Sequence, residues 1–228
     1  METVCISLGG ALVSRRNGVN VSYVRRFLQL LKDYRNVYNF VVVVGGGYAS
    51  RLYITSSRKF IPNQLVLDEI AIAITRINAL LVKDLLSELD VYPKIVTSLD
   101  ELRTASKSSR VVVMGGLLPG MSTDAVTVLA CEVTNGKMLI NISRESYIHD
   151  PPPGAPGSRK IESLTHDQLI ALASKYDSRV AGSHFLFDLV ASKLAKRANI
   201  EIRFVNDDIN QLRYAILNKK HMGSHVRN

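Results

Sequence analysis

The sequence predicts an α/β fold in which a mainly parallel sheet is covered by helices on both faces, as a three-layer αβα sandwich. Short runs rich in β-branched residues alternate with amphipathic helical patterns along the chain, which is typical of strand–helix units in parallel sheets. Glycines cluster directly after three of the strand-like runs. Apolar residues make up 46% of the 228 residues and charged residues 21%, a balance typical of a globular chain. We therefore expect residues 1–228 to form one domain.

The first strand-like runs lie at residues 4–8 and 40–44. The second is rich in valine, which is typical of a strand that is buried on both faces. Between the two runs, the spacing of apolar residues over 21–31 predicts an amphipathic helix that ends near Tyr34. Further elements are predicted in this order: a helix after Gly47, a longer helix through 70–86, a strand at 95–96, a helix near 99–105 and a strand at Val111–Met114.

A proline-rich segment interrupts the second half of the chain. Residues 151–157 contain four prolines and two glycines, a composition that predicts a loop. After it, Thr165 and Gln168 fit a helix capping box, with Leu164 and Leu169 placed to form a hydrophobic staple. The other predicted elements are helices at 125–133, 187–196 and 208–217 and strands at Met138–Ile142 and Glu201–Val205.

Composition also limits the class of protein. Cys5 and Cys131 are the only cysteines and lie in apolar stretches, so we expect no disulfide scaffold and a cytoplasmic location. Charged residues break up the apolar region 65–86, whereas a membrane span needs ~20 mostly apolar residues. The net charge of +9 comes from scattered pairs of basic residues. We interpret it as a basic surface that attracts anionic substrates, with no nucleic-acid partner and no membrane partner.

The glycine clusters indicate where a ligand would bind. In open α/β sheets, ligands bind at the carboxyl edge of the strands, where the loops leave the sheet. Glycine lets backbone N–H groups approach a phosphate closely, and a following helix offers its positive N-terminus. Any one cluster is more often an ordinary turn, but three at successive strand ends predict a phosphate site, without a P-loop or dinucleotide pattern. The clustered glycines are Gly9, Gly10, Gly45, Gly46, Gly47, Gly115, Gly116 and Gly120.

Longer motifs around these glycines resemble those of one family. The chain is similar to archaeal uridylate (UMP) kinases of the amino acid kinase superfamily, in order and over nearly its whole length. The segments that carry the resemblance are SLGGAL at 7–12, VVVGGG at 42–47 with Arg51, DEIAIAITRINA at 68–79, VMGG at 113–116, PGMSTDA at 119–125, AGS at 181–183, DLVASK at 188–193 and GSHV at 223–226.

The resemblance implies transfer of a phosphoryl group from ATP to UMP with Mg²⁺ as cofactor, in a homo-oligomer that is a hexamer. It assigns residues 1–135 to acceptor binding and 136–228 to nucleotide binding. Arg51 and Asp124 would be catalytic, and no metal site made by the protein alone is expected. The implied UMP-binding residues are Gly46, Asp68, Leu117, Leu118, Pro119, Gly120, Met121, Ser122 and Thr123. The implied ATP-binding residues are Gly9, Gly10, Gly47, Arg51, Ser143, Tyr147 and Asp150.

Three departures from the family pattern leave alternatives open. Tyr48 stands where many relatives have lysine, residues 6–8 lack an early lysine, and the loop 143–150 is two residues shorter. One alternative is a kinase of another small phosphate such as isopentenyl phosphate, although that branch uses a histidine that residues 48–51 lack. The other is a non-catalytic paralogue that binds nucleotide or oxyanion. Asp124 also has a simpler explanation, because the helix dipole favours any acid at a helix start.

Overall fold

The computed structural model describes residues 1–86, 90–177 and 186–228. The strands are β1 (Glu2–Leu8), β2 (Ser14–Arg15), β3 (Gly18–Val19), β4 (Tyr38–Val44), β5 (Val111–Met114), β6 (Met138–Ile142), β7 (Ile148–Asp150), β8 (Arg159–Ile161), β9 (Ser163–Leu164), β10 (Glu201–Val205) and β11 (His225–Val226). The helices are α1 (Gly10–Val13), α2 (Val21–Tyr34), α3 (Gly47–Ser57), α4 (Gln64–Leu85), α5 (Leu99–Ser108), α6 (Thr123–Val133), α7 (His166–Tyr176), α8 (Leu189–Ala198) and α9 (Ile209–Ile216).

A seven-stranded sheet with the order β5-β4-β1-β6-β10-β11-β9 forms the centre of the molecule. The neighbours from β5 to β10 pair in parallel, whereas β11 is antiparallel to β10 and parallel to β9. The carboxyl ends of the parallel strands therefore meet at one edge. The loops that follow β1, β4, β5, β6 and β10 all begin at this edge.

Helices cover both faces of the sheet and build two separate apolar layers. One layer packs α1, α2, α4 and α9 against the face that carries Ile6 and Val42. The other packs α5, α6, α7 and α8 against the face that carries Val41 and Leu139. Because successive strand residues point to opposite faces, each central strand contributes to both layers. None of the described helices is long and apolar enough to cross a membrane.

The α/β sandwich with a mainly parallel sheet is confirmed, and so are the predicted helices and long strands, with shifts of a few residues at their ends. The capping box at Thr165 and Gln168 is present. Residues 151–157 connect β7 to β8, as the predicted loop. The division of the chain at residue 135 stays a prediction, although strands from both sides of it enter the same sheet.

The predicted strand at 95–96 is wrong. Only Val96 pairs, as an isolated bridge to Met114, since its N–H donates to Val113 O at 3.1 Å. Two-residue strands such as β9 and β11 were not predicted, because they are too short to show a period. The motif at 181–183 lies outside the described residues.

Candidate active site

A cavity of about 310 Å³ opens at the carboxyl edge of the sheet. It lies between the middle of α4, the loop after β5, and the starts of α6 and α8. Its described lining contains four aspartates but no lysine or arginine. The lining residues are Gly46, Asp68, Ala71, Ile72, Thr75, Gly116, Leu118, Met121, Ser122, Thr123, Asp124, Asp177 and Asp188.

The start of α6 forms one wall of this cavity. Ser122 is the N-cap, and its hydroxyl accepts the Ala125 N–H at 3.0 Å. Thr123 and Asp124 are the first two helical residues, so their N–H groups have no acceptor within the helix. This end of α6 thus offers a positive dipole end and free donors to an anion in the cavity.

Asp124 is fixed in this wall by two neighbouring strands. Ser7 on β1 and Asn141 on β6 are direct register partners. The Ser7 hydroxyl donates to Asp124 Oδ1 at 2.7 Å, and the Asn141 amide donates to the same oxygen at 2.8 Å. Both bonds therefore hold one oxygen, and the pair sets the orientation of the carboxyl at the cavity wall.

The surroundings of Asp124 disfavour its negative charge. Burial of the carboxyl raises its pKa to about 7, and the charge of Asp188 acts in the same direction, while the hydrogen bonds from Ser7 and Asn141 oppose the shift. The carboxyl therefore changes its charge near neutral pH. A cation or a metal–phosphate complex in the cavity would favour its ionised form.

Asp188 connects the starts of two helices across the cavity. It is the N-cap of α8, where one oxygen accepts the N–H groups of Val190 and Ala191 at 2.9 and 3.0 Å. Its other oxygen accepts a hydrogen bond from the Ser122 hydroxyl. Asp188 thereby sets the position of the N-terminus of α6 relative to α8.

Asp68 on α4 lies on the opposite side of the cavity. Its Oδ2 atom accepts the N–H of Gly120 at 2.8 Å, and Gly120 has a φ of +75° that favours glycine. Thr75, two turns further along α4, accepts the Gly116 N–H at 2.7 Å. Arg76 donates to Gly116 O at 3.2 Å. The loop after β5 is thus held against α4 by side chains of α4.

The first two glycine loops pack against each other at the strand ends. A Cβ added to Gly10 would lie 2.2 Å from Gly47 N and 2.4 Å from Gly45 C. Gly47 has a φ of +65°, and its own added Cβ would lie 2.1 Å from Gly10 O. Asn78 on α4 holds the second loop by donating to Gly45 O at 2.8 Å. Only glycine permits this approach of two backbones.

Arg51, predicted to be catalytic, projects from α3 directly after the second glycine loop. Its side chain is half-buried and makes no hydrogen bond or ion pair with another residue in the described ranges. Arg51 does not line the cavity. Its guanidinium is therefore available to an external anion on the side of the glycine loops.

The predicted nucleotide loop follows β6 and is closed by internal bonds. Ser143 donates to Glu145 O. The Glu145 carboxylate in turn accepts the N–H groups of Ser146 and Tyr147, each at 3.0 Å. The Lys160 ammonium lies 4.7 Å from the centre of the Tyr147 ring. This cation–π contact ties the loop to the β7–β8 hairpin.

Asp150, predicted to bind ATP, faces α7. Its Oδ1 atom accepts the Tyr176 hydroxyl at 2.6 Å and the Lys175 ammonium at 3.5 Å. The hydrogen bond from Tyr176 lowers the pKa of Asp150, and Lys175 adds to this effect. Asp150 therefore remains ionised and joins the β7–β8 hairpin to α7.

The structure thus divides the predicted residues into groups. Seven of them line the cavity together: Gly46, Asp68, Leu118, Met121, Ser122, Thr123 and Asp124. Leu117, Pro119 and Gly120 belong to the same loop without lining it. Gly9, Gly10 and Gly47 lie at the adjoining strand ends. Ser143, directly after β6, lies beside Gly9, whose added Cβ would be 3.5 Å from Ser143 Cα. Tyr147 and Asp150 lie further along, in the loop and the hairpin that follow β6.

The roles of Ser7 and Asn141 were not predicted. The available signal was a polar residue at the penultimate position of a strand with apolar residues on both sides of it, which both β1 and β6 show. Asp177, which also lines the cavity, was missed as well. Its Oδ2 atom accepts the Leu189 N–H at 3.0 Å. The two residues lie twelve positions apart, and no local sequence pattern predicts this bond.

Over residues 2–206 the sequence matches the amino acid kinase family. The chain belongs to this family. Among related amino acid kinases, the uridylate kinase of Methanoregula boonei is 34% identical over 89% of this chain and 85% of that protein. The uridylate kinase of Thermoplasma acidophilum is 33% identical over 92% of this chain and 90% of that protein.

Solved structures of amino acid kinases agree with this assignment. The uridylate kinase from Archaeoglobus fulgidus superposes with a TM-score of 0.86 at 28% identity, covering 99% of this chain and 100% of that one. The UMP kinase from Bacillus anthracis gives a TM-score of 0.77 at 16% identity, covering 99% of this chain and 96% of that one, which shows the shared fold alone. The predicted membership of the amino acid kinase superfamily is confirmed.

Proposed function

We propose that this protein is a uridylate kinase, which transfers the γ-phosphoryl group of ATP to UMP and forms UDP and ADP. The observation that carries the proposal is the cavity between Asp68 and the start of α6, at the edge where the two glycine loops meet. It is supported by relatives named uridylate kinase that align over about nine-tenths of the chain.

The acceptor would be held between α4 and α6. The free N–H groups at Thr123 and Asp124 suit the phosphate of UMP, because a helix N-terminus combines donors with a positive dipole end. Asp68 uses one oxygen for Gly120, so its other oxygen can accept hydrogen bonds from ribose hydroxyls. An isoprenoid phosphate has no such hydroxyls, so this second oxygen would have no partner in the ligand.

The donor would lie across the glycine loops after β1 and β4. Phosphoryl transfer requires mainly positioning and positive charge near the moving group. The Gly9 N–H already donates to Ile142 O at 2.8 Å. The N–H groups of Gly10 and Gly47, the first residues of α1 and α3, can approach phosphates closely because neither residue has a side chain. Arg51 adds a planar guanidinium suited to two phosphate oxygens. Because position 48 and residues 6–8 supply no lysine, Arg51 would provide a larger share of the positive charge near the donor phosphates.

Mg²⁺ is proposed to arrive with ATP. No group of three or more His, Cys, Asp or Glu in the described ranges could hold a metal ion. Mg²⁺ in kinases commonly binds through one or two carboxylates together with substrate phosphates and water, and Asp124 fits that pattern. The ion would neutralise charge on the phosphates. Asp124 itself would orient the donor phosphates and keep the γ-phosphoryl group in line with the acceptor.

We also propose that the protein assembles as a hexamer in the cytoplasm. Its reaction would be a step of pyrimidine nucleotide synthesis. Support for assembly comes from exposed apolar side chains on α3, α4 and the turn between them, which we call the α3–α4 patch. Large exposed apolar side chains of this kind are typical of subunit contacts. The patch consists of Leu52, Tyr53, Phe60, Leu65, Ile77 and Leu80.

Product analysis by ³¹P NMR tests the proposed function. The protein is incubated with Mg·ATP and, in separate samples, UMP, CMP, AMP or isopentenyl phosphate. We expect UDP and ADP in equal amounts from UMP, with slower or absent reaction of the others. ADP and inorganic phosphate without a new diphosphate would indicate only hydrolysis. Transfer to isopentenyl phosphate in preference to UMP would replace the proposed acceptor.

A further inference from the structure

A second cavity, here called the basic cavity, has a volume of about 300 Å³ and lies beside β10, β11 and the turn after α9. It shares no lining residue with the cavity at the carboxyl edge of the sheet. Its lining residues are Glu162, Ser163, Arg203, Asn218, Lys219, Lys220, His221, Gly223, His225 and Arg227.

Positive charge at its rim is not neutralised by the protein. Lys219, Lys220 and Arg227 are exposed and form no ion pair with any residue in the described part of the chain. Glu162 is the one carboxylate among the described lining residues. Exposed cations without carboxylate partners attract a multivalent anion more strongly than a mixed surface does.

The floor of the basic cavity is rigid. Arg203 is buried at 4% exposure. It donates to Glu201, to Ala215 O and to Asn218 Oδ1, the last at 2.7 Å. Burial works against the charge of Glu201, but hydrogen bonds from Arg203 and His225 prevail and lower its pKa. The buried ion pair is thus internally satisfied, and it fixes the turn that carries the lysines.

His221 leaves a hydrogen-bonding position unused in the wall. Its Nδ1 atom lies 3.5 Å from Lys219 O. Its Nε2 atom is buried and has no partner among the described residues. Buried polar groups are almost always paired, so this nitrogen is a hydrogen-bonding position that a ligand in the cavity would use. The His225 ring lies nearby, with the ring centres 6.2 Å apart.

We propose that the basic cavity binds a small anion with two or more phosphate groups, either an inorganic polyphosphate or the phosphate chain of a nucleotide. Lys219, Lys220 and Arg227 supply the charge, and His221 supplies a fixed nitrogen. A cavity of about 300 Å³ accommodates a diphosphate or triphosphate chain.

The segment that forms this cavity also holds the predicted nucleotide loop. Ser224 N–H donates to Ser146 O at 2.8 Å, and the Ser224 hydroxyl accepts the Ile148 N–H at 2.7 Å. Gly223 fits so tightly that an added Cβ would lie 1.9 Å from Phe204 O. An anion that shifts residues 219–223 would therefore also shift Ser146, Tyr147 and Ile148. This coupling, which rests on the proposed function, makes the basic cavity a regulatory site for ATP binding.

Calorimetry with pyrophosphate and with CTP tests the binding site. The parent is compared with the double variant Lys219→Gln/Lys220→Gln and with the control Lys94→Gln/Lys137→Gln, which removes the same charge from exposed positions elsewhere. We expect the first variant to bind roughly tenfold more weakly, because two charge-assisted contacts are lost, and the control to bind like the parent. Tighter binding of CTP that is weakened in Lys219→Gln/Lys220→Gln identifies a nucleotide as the ligand of the basic cavity. Equal or tighter binding of pyrophosphate that is weakened in the same variant identifies an inorganic polyphosphate. Equal affinities in both double variants, or no binding by the parent, would overturn the proposal.

The coupling is tested separately by measuring the Kd of ATP with and without pyrophosphate. Pyrophosphate also competes with ATP at the ATP site, in the parent and in Lys219→Gln/Lys220→Gln alike. The difference between the two proteins in how far pyrophosphate changes the Kd of ATP therefore reports the basic cavity alone. We expect a difference of about fivefold or more, a usual size for coupled sites. Identical responses would refute the regulatory role. If the protein bound no ATP at all, the proposed function would fail while the pyrophosphate titration still decided whether the basic cavity is a site.

Discussion

Ser7 and Asn141, opposite each other on β1 and β6, both donate to the same oxygen of Asp124, at 2.7 and 2.8 Å. The two strands therefore fix the side chain of a residue that begins a helix elsewhere in the sequence. Asp124 Oδ2 makes no hydrogen bond with a residue in the described ranges. This arrangement presents one carboxylate oxygen to a ligand and explains the polar residues in two apolar strands.

Asp124→Asn is expected to lower turnover by ~10²–10³, the scale of a lost electrostatic element in a transition state, and to leave UMP affinity nearly unchanged. Asparagine can still accept the bonds from Ser7 and Asn141 with its one oxygen, so the geometry is kept while the charge is removed. Steady-state kinetics and equilibrium UMP binding check this. Unchanged turnover would leave Asp124 as a helix-start residue only.

The same variant should be more stable than the parent at alkaline pH when no ligand is bound. The pKa of Asp124 is raised from 3.8 to about 7 in the folded protein, so its charge destabilises the folded state once it is ionised. The contribution of Asp124 to stability is highest below the pKa that this group has in the unfolded chain, and it falls as pH rises through about 7. The Tm of Asp124→Asn should exceed that of the parent by several degrees at pH 8 and match it near pH 4.

Ser7→Ala is expected to shift the acid limb of the pH–rate profile to higher pH. The hydrogen bond from Ser7 lowers the pKa of Asp124, so its removal raises that pKa further and leaves less ionised carboxylate at pH 7. The activity lost at pH 7 should return near pH 9. Ser7→Thr, which keeps the hydroxyl, is the matched control. A uniform loss at every pH would mean that Ser7 acts only through packing.

Gly10→Ala is expected to reduce turnover by about 10²-fold, since displacement of catalytic groups by about 1 Å has this effect. Its Cβ would lie 2.2 Å from Gly47 N, which forces the two glycine loops apart. Gly18→Ala is the control, because Gly18 has a φ of +109° but no neighbouring atom within 4 Å. The control should lower the Tm modestly and keep its kinetics. Equal kinetics in both variants would contradict a role for the loop contact.

The sequence was sufficient to predict the sandwich and the cavity wall at α6. The valine run of β4 and the apolar period of α2 are local signals, and so is the Ser122 cap with its following acid. The bonds of Asp124 could not be predicted, because Ser7 lies 117 positions away and only the register of β1 against β6 brings it close. The hydrogen bond between Gly120 and Asp68 could not be predicted for the same reason, since the two residues lie 52 positions apart.

The structure favours α4 over α2 as a surface for subunit contacts. The apolar side chains of α2 from Tyr23 to Leu31 are buried in the core, whereas Ile77 on α4 is 66% exposed. Ile77→Glu should therefore reduce the mass measured by light scattering to that of a smaller assembly. Val37→Glu, at a site that is 55% exposed after α2, should not. A monomeric parent at micromolar concentration would contradict the assembly itself.

The choice of acceptor is the central claim, and kcat/KM for UMP and isopentenyl phosphate in the parent and in Asp68→Ala tests it most directly. The parent should prefer UMP. Loss of the Asp68 carboxylate leaves ribose hydroxyls and Gly120 N–H without their acceptor, at ~1–3 kcal/mol, so UMP use should fall about tenfold or more. Use of isopentenyl phosphate should stay the same or improve. A parent that prefers isopentenyl phosphate, or an Asp68→Ala variant with unchanged UMP kinetics, would contradict the uridylate assignment.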